Sequence, residues 1–261
     1  MSALCAVGGV GLFTPKFADW TAFRRGAAAA EPLQPNGALL DKHARRRASE
    51  LTKALADAYG QALTQAGCEA TTVGAVFGSA LGEANVTIGL LETLWSGSGM
   101  LSPMRFAASV HNAASGVVSI GTKNTGFTTA MGADHDTPAM ALLEGVAYVL
   151  THDLPAIVVC GDEAAPANLV SGDEGWDFLA CAVALLPTEK AASTLPRITA
   201  PMRAIGSELA ASALPRGLRQ NPVVGLLDLM VALEDARQLE VRLDRGRGRG
   251  FGTRILRSMA S

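Results

Sequence analysis

Residues 127–161, FTTAMGADHDTPAMALLEGVAYVLTHDLPAIVVCG, decide the fold. The first seven, FTTAMGA, are β-branched, aromatic and small, and read as a strand. Asp136 stands where a helix N-cap would, and Pro138 falls in the first turn, where a missing N–H does no harm. The run AMALLEGVAYVL carries that helix to about residue 150. After a short turn, AIVVCG (156–161) is continuously apolar, the pattern of a parallel strand covered on both faces.

The same alternation continues outward. ALCAVGGVGLF (3–13) reads as a buried strand, and residues 14–47 as an irregular polar stretch with Pro15, Pro32 and Pro35. Ser49 then caps a helix whose Leu51, Leu55, Ala58, Ala62 and Leu63 recur at helical spacing up to Gly67. TVGAVFGSA (72–80) is a strand, and Glu83–Leu94 a helix. Pro103 opens a small-residue-rich segment, through Lys123, that is helical by periodicity. Beyond an acidic loop at 171–175, DFLACAVALLP (177–187) is another apolar strand. Pro222–Leu239 reads as a late helix, and residues 240–256 as two strands around a glycine-arginine turn. Such alternation predicts a layered α/β domain with a largely parallel sheet. No internal repeat divides the chain. We therefore expect one domain over 1–261, with a core at 1–190 and a C-terminal extension at 191–261, the coil 188–221 being the nearest boundary.

Composition excludes several classes. Of 261 residues, 49% are hydrophobic and only 18% charged, too apolar for disorder and suggestive of a surface that is itself covered. A net charge of −2 gives no global basic field for nucleic acid or anionic membrane, so any acidic partner must be met by a local patch. No run of 18 apolar residues occurs, and MSALCAVGGVGLF lacks a charged leader region, so a cytoplasmic protein with no membrane span is expected. Cys5, Cys68, Cys160 and Cys181 form no CxxC and read as buried thiols. Gly8-Gly9-Val10-Gly11 is not a dinucleotide fingerprint, no GxSxG or HExxH is present, and no cofactor is expected. The turn Arg245–Gly250 has RNA-binding composition, but one short copy between strands reads as a flexible hairpin tip.

Three segments carry a resemblance. Pro103-Met-Arg-Phe-Ala-Ala-Ser-Val-His-Asn112 is similar to the ketosynthase segment that opens a long dimer-interface helix. Thr128–Leu150 resembles that family's strand, nucleophile elbow and buried helix. Ile157-Val-Val-Cys-Gly-Asp-Glu163 resembles its strand ending in Gly-Gly-x-Glu. Ungapped counts from Asn112 forward and from Glu163 backward both place the nucleophile position at His135, within Gly132-Ala-Asp-His-Asp136. Ser109-Val-His-Asn112 and Leu142-Leu-Glu144 bring the chain nearest to a truncated β-ketoacyl synthase N-terminal-like family that accompanies aryl polyene and type II polyketide systems as chain length factors.

The resemblance implies a half-thiolase-like layered α/β domain, a five-stranded mixed sheet with helices on both faces. It implies a non-catalytic subunit, because a condensing enzyme stores its acyl chain as a thioester and an acyl-imidazole is too labile for that. It also implies a heterodimer with a catalytic ketosynthase, with an acyl carrier protein as a further partner. His135 could be a nucleophile, a metal ligand with Asp134 and Asp136, or a structural side chain. Three adjacent residues do not easily converge on one ion, so no metal is expected. Met104, Arg105 and Phe106 are the candidates for an acyl-tunnel wall at the dimer contact, with His111 and Asn112 on the same interface segment. The basic run Lys42 and Arg45–Arg47 is either a solvated helix start or a carrier docking site. The rival readings are an acyltransferase using Cys160 or Cys68, and a structural homodimer.

Overall fold

The computed structural model describes residues 4–97, 99–170, 175–203, 214–234 and 239–257. The chain runs β1 (Leu4–Phe13), α1 (Trp20–Arg24), α2 (Lys42–Arg47), α3 (Glu50–Ala66), β2 (Gly74–Gly78), α4 (Ala84–Ser96), α5 (Pro103–Ala107) and α6 (Ala113–Thr122). It continues through β3 (Thr128–Met131), a 3-10 turn (Asp134–Asp136), α7 (Thr137–His152), β4 (Ala156–Asp162) and β5 (Leu179–Pro187). Last come β6 (Arg197–Thr199), β7 (Met202–Arg203), α8 (Arg216–Gln220), α9 (Val224–Ala232), β8 (Leu239–Arg242) and β9 (Phe251–Leu256). Residues 171–174 of the acidic loop and residues 235–238 lie outside the described residues; the late helix expected over Pro222–Leu239 is confirmed only over Val224–Ala232, and Leu239 already belongs to β8.

The sheet is mixed, in the order β3-β2-β4-β5-β1-β6-β9-β7, with β8 also pairing β9. β2 is parallel to both β3 and β4, and the other pairings are antiparallel. Among the described residues this corrects the expected five strands to nine, and the expected largely parallel sheet to a mixed one whose parallel part is β3-β2-β4. β1–β5 lie side by side, and the two strands read in residues 240–256 are β8 and β9. β6 and β7 span three and two residues, too short to show a period of two. They matter because the outer edge of β1 would otherwise expose unpaired backbone groups. β6 pairs Leu4–Ala6 of that edge, and β9 extends the sheet from β6.

Helices cover both faces. All seven residues of β4 are buried. Ile157 and Val159 join the core under α3 with Leu51, Leu55 and Tyr59. Val158 and Cys160 join the core under α7 and α9 with Leu142, Val146 and Leu226. This alternation is what a two-residue period requires of a strand sandwiched between layers.

α3 begins and ends as its sequence directs. The Ser49 hydroxyl accepts from Thr52 N–H at 2.9 Å, and Gly67 closes the helix with φ 62°. Its Gln61 side chain pairs with both backbone groups of Leu12, accepting at 2.9 Å and donating at 3.0 Å. Such contact needs β1 to lie very near the helix, and Gly11 permits it: a Cβ there would collide with the Ala58 carbonyl.

The stretch after Pro103 departs from the single helix its periodicity predicts. α5 stops at Ala107 and α6 starts at Ala113. Between them the Ser109 hydroxyl donates back to the Phe106 carbonyl at 2.8 Å, a local bond that competes with helix continuation. His111 is drawn away to the Ser79 carbonyl.

Gly11→Val should therefore force α3 off the sheet. Overpacking of this kind costs about 1–3 kcal/mol, which thermal unfolding should register as a drop in Tm of several degrees, roughly 2–4 °C per kcal/mol at this chain length.

Candidate functional site

The parallel strands β3, β2 and β4 end together, and polar groups gather outside their carboxyl ends, where open α/β sheets bind ligands. β3 leads into a tight elbow. Gly132 lies against Ser79 and His111, and a Cβ there would come within 2.9 Å of both the Ser79 carbonyl oxygen and His111 Nε2. Asp134 is left-handed, with φ 52°, an unfavourable conformation for a residue with a Cβ. The Thr137 hydroxyl fastens the elbow, donating to the Asp134 carbonyl at 2.6 Å and accepting from Ala133 N–H at 2.9 Å. α7 then departs.

His135 is on this elbow, as the counts from both flanks place it, but it is not the tip. The Asp134 side chain is 84% exposed and that of His135 20%. The two are 3.9 Å apart at nearest approach, outside hydrogen-bond range. Burial first holds the His135 imidazole below its ordinary pKa. Arg247 acts in the same direction, and Asp134, Asp244 and Asp136 pull it back. Asp136 occupies the N-cap position of α7 without capping it by its side chain. Its carboxylate instead accepts from Arg249 N–H at 2.9 Å, 113 residues away in sequence.

That bond belongs to an anchored turn, which corrects the flexible hairpin tip expected at 245–250. Arg245 forks onto the buried Asp228 carboxylate at 2.6 and 2.5 Å. Asp244 accepts from Arg242 Nε at 2.6 Å, Gly246 N–H at 2.9 Å and Gly250 N–H at 2.7 Å. Charge-assisted bonds of this kind are the strong ones. The turn lies beside His135 and Asp136, held by three aspartates.

Four cysteines are free and none reaches the elbow surface. Cys160 on β4 faces Cys181 on β5 in register, both fully buried. A Cβ on Gly78 would touch both Cys160 Sγ and Thr137, so this sulfur lies beneath the first turn of α7, sealed off. Burial pushes the Cys160 thiol far up, and the Asp162 charge adds to it. Burial likewise raises Cys181 and lifts Cys5 to about 12. Half-exposed Cys68 is also raised by burial. Among the described residues no three His, Cys, Asp or Glu side chains are grouped to hold a metal ion.

Met104 and Phe106 project from α5, 56% and 63% exposed. His111 and Asn112 lie on the turn after it. The His111 Nε2–H donates to the Ser79 carbonyl at 2.9 Å, which brings this ring to the elbow, whereas Met104–Phe106 stay on the outer surface.

One residue of this site went unassigned in the sequence. Asp162, at the end of β4, is almost wholly buried and accepts from Ser79 Oγ at 2.7 Å, Ala80 N–H at 2.9 Å and Leu81 N–H at 2.9 Å. Burial raises its pKa, and although those three donors and nearby His111 pull it down, it stands at about 6. The signal was a carboxylate placed directly after a continuously apolar strand. Glu83 is a second buried carboxyl, bonded to Ser49 Oγ and Thr52 Oγ1 at 2.8 Å each. Its other oxygen has no partner among the described residues, and burial raises its pKa as well.

Comparison with known proteins agrees with this geometry. The family described as beta-ketoacyl synthase, N-terminal domain, matches residues 18–245. No curated protein sequence matches. Among solved structures, the chain is similar to the complex of the ketosynthase ApeO with its chain length factor ApeC from Xenorhabdus doucetiae. The TM-score is 0.69 at 18% identity, over 98% of this chain and 100% of that one. The ishigamide ketosynthase/chain length factor gives 0.69 at 14% identity, over 98% and 99%. The type II polyketide complex AntDE:AntF, an acyl carrier protein with its ketosynthase, gives 0.76 at 14% identity, over 99% and 100%. At such identities the likeness shows the fold.

Two outcomes follow for this site. Iodoacetamide on the native protein near pH 8 should label Cys68 slowly and leave Cys5, Cys160 and Cys181 unlabelled until unfolding; one fast-reacting thiol would favour the acyltransferase reading. Asp162 also makes stability pH-dependent. Its folded pKa of about 6 exceeds the unfolded value of about 3.9, so its contribution is fully present below the lower value and is lost as pH rises through the upper. Urea midpoints should fall relative to Asp162→Asn between about pH 4 and about pH 6, and the difference should level off above that window.

Proposed function

We propose that this chain, which belongs to the β-ketoacyl synthase N-terminal domain family, is a non-catalytic ketosynthase-like subunit that pairs with a catalytic ketosynthase and sets product length, as a chain length factor does. The observation that carries the reading is the elbow. Where a condensing enzyme holds its acyl group on a thiolate, this elbow offers an exposed carboxylate, Asp134, and an imidazole, His135, partly covered by the Gly/Arg turn. Each thiol in the chain is removed from that position and biased toward the protonated, unreactive form. Catalysis then falls to the partner, and this subunit contributes shape.

The outer surface supports a pairing role. Trp95 is 95% exposed and Met100 97%, and Leu91, Leu94, Met104 and Phe106 are also exposed on the same stretch of chain. Side chains this large and this exposed on a folded domain mark an interaction surface. Leu91, Leu94 and Trp95 share one face of α4 by their spacing. The ketosynthase/chain length factor complexes of the same fold are consistent with this, and an acyl carrier protein is a further partner for such a cytoplasmic assembly.

Co-expression with a catalytic ketosynthase and a carrier protein checks the reading. The two subunits should co-purify in equal amounts, and the length of carrier-bound products should change when this chain is omitted. Trp95→Ala with Phe106→Ala should weaken association at least tenfold, since aromatic anchors dominate such interfaces. Condensation by this chain alone, or unchanged products without co-purification, would overturn the assignment. An effect of the double variant on self-association alone, with products unaltered, would favour the structural homodimer.

A further inference from the structure

The apolar surface has a charged neighbour. His43, Arg46 and Arg47 of α2 and Met104 and Arg105 of α5 line a cavity of about 620 Å³, completed by Ser49, Val86 and Ala108. Among the described residues no carboxylate lines it. Arg45, the first of the basic run, is committed inward, donating to the Ala38 and Leu40 carbonyls at 3.3 and 3.0 Å. Arg46, Arg47 and Arg105 form no ion pair among the described residues. Met104 belongs to both features: it lines the cavity and stands exposed on α5. The charged hollow and the apolar surface are therefore continuous at α5.

Resting on the pairing role argued above, we infer that this interface selects its partner by charge: it takes a subunit whose face brings carboxylates into the Arg46–Arg47–Arg105 cavity, and it rejects a second copy of this chain. A two-fold pairing of identical chains sets the same patch against itself. Between residues 84 and 127 this chain has one carboxylate, Glu92. The flanks of α2 add Asp41, whose carboxylate caps that helix, and Glu50, so a second copy still sets three guanidiniums against three on a surface where cations outnumber carboxylates. Uncompensated like charges at an interface reject wrong partners, and guanidiniums favour bidentate carboxylates. The net charge of −2 imposes no long-range preference, so the discrimination is local.

The experiment measures affinity for the ketosynthase used in the co-expression above, together with self-association, from about 0.1 M to about 1 M salt, over which the Debye length falls from about 10 Å to about 3 Å. The heterodimer should weaken at least tenfold across that range, and the free chain should not self-associate at concentrations where the heterodimer is complete. The triple variant Arg46→Glu, Arg47→Glu, Arg105→Glu should lose at least a hundredfold in heterodimer affinity at low salt and lose the salt dependence. The three corresponding Gln changes, made on exposed side chains with unchanged circular dichroism, should lose less and in the same direction. A heterodimer that forms with salt-independent affinity, indifferent to the variants, overturns this inference and leaves the pairing role standing. So does self-association as tight as the heterodimer, or a variant that keeps the ketosynthase but loses the carrier protein, which would give the charge to carrier docking. No heterodimer under any condition overturns the pairing role and this inference with it.

Discussion

A strand that must be dry on both sides sets most of this structure. β4 has no residue at the surface, so it needs a helix on each face and a strand on each edge. α3 supplies one cover and α7 with α9 the other. The near approach of α3 is possible because β1 is rich in glycine where the helix crosses it, and the pair of glutamines on α3 satisfies backbone groups of β1 at Val10 and Leu12. The same dryness governs the thiols. Cys160 and Cys181 are core residues on neighbouring strands, and a sulfur in that environment is held protonated by the cost of burying a charge.

At its carboxyl end β4 carries the opposite kind of group. Asp162 brings a carboxylate into the interior, and the chain after β2 folds over to donate three hydrogen bonds to it. That loop in turn offers the Ser79 carbonyl to His111, which lies against Gly132 at the start of the elbow. Residues from four parts of the sequence are thus fixed around one buried acid. The elbow retains its left-handed backbone at Asp134, while its imidazole is partly covered and its pKa lowered by burial.

The outer surface follows a different rule. The interior is closed by short-range packing, yet α4 and α5 leave Trp95, Met104 and Phe106 in water beside a hollow lined with arginine. Apolar area supplies affinity without regard to partner, and charge supplies discrimination. Having both on adjoining helices suits a subunit that must find one particular neighbour among others of the same fold.

Much of the architecture was legible in the residues. The apolar run at 156–161, the Ser49 cap with Gly67 closing the same helix, and the elbow between FTTAM and the α7 helix each follow from local propensity and periodicity. His135 could be placed at that elbow by counting from both flanks, and no thiol is available in its immediate sequence. Other features depended on distance in the chain. β6 and β7 are too short to announce themselves; β6 covers the edge of β1, and β7 pairs with β9. The helix after Pro103 breaks because His111 finds the Ser79 carbonyl. The Gly/Arg turn reads as loose, and is fixed by Asp136, Asp228 and Asp244. Sequence alone determined the layers and that no cysteine stands at the elbow, since both are set by residue type and spacing within a few turns. Only the tertiary structure decided which acid is buried, which arginines form no ion pair among the described residues and what covers the elbow, because a charge takes its meaning from whatever folds against it.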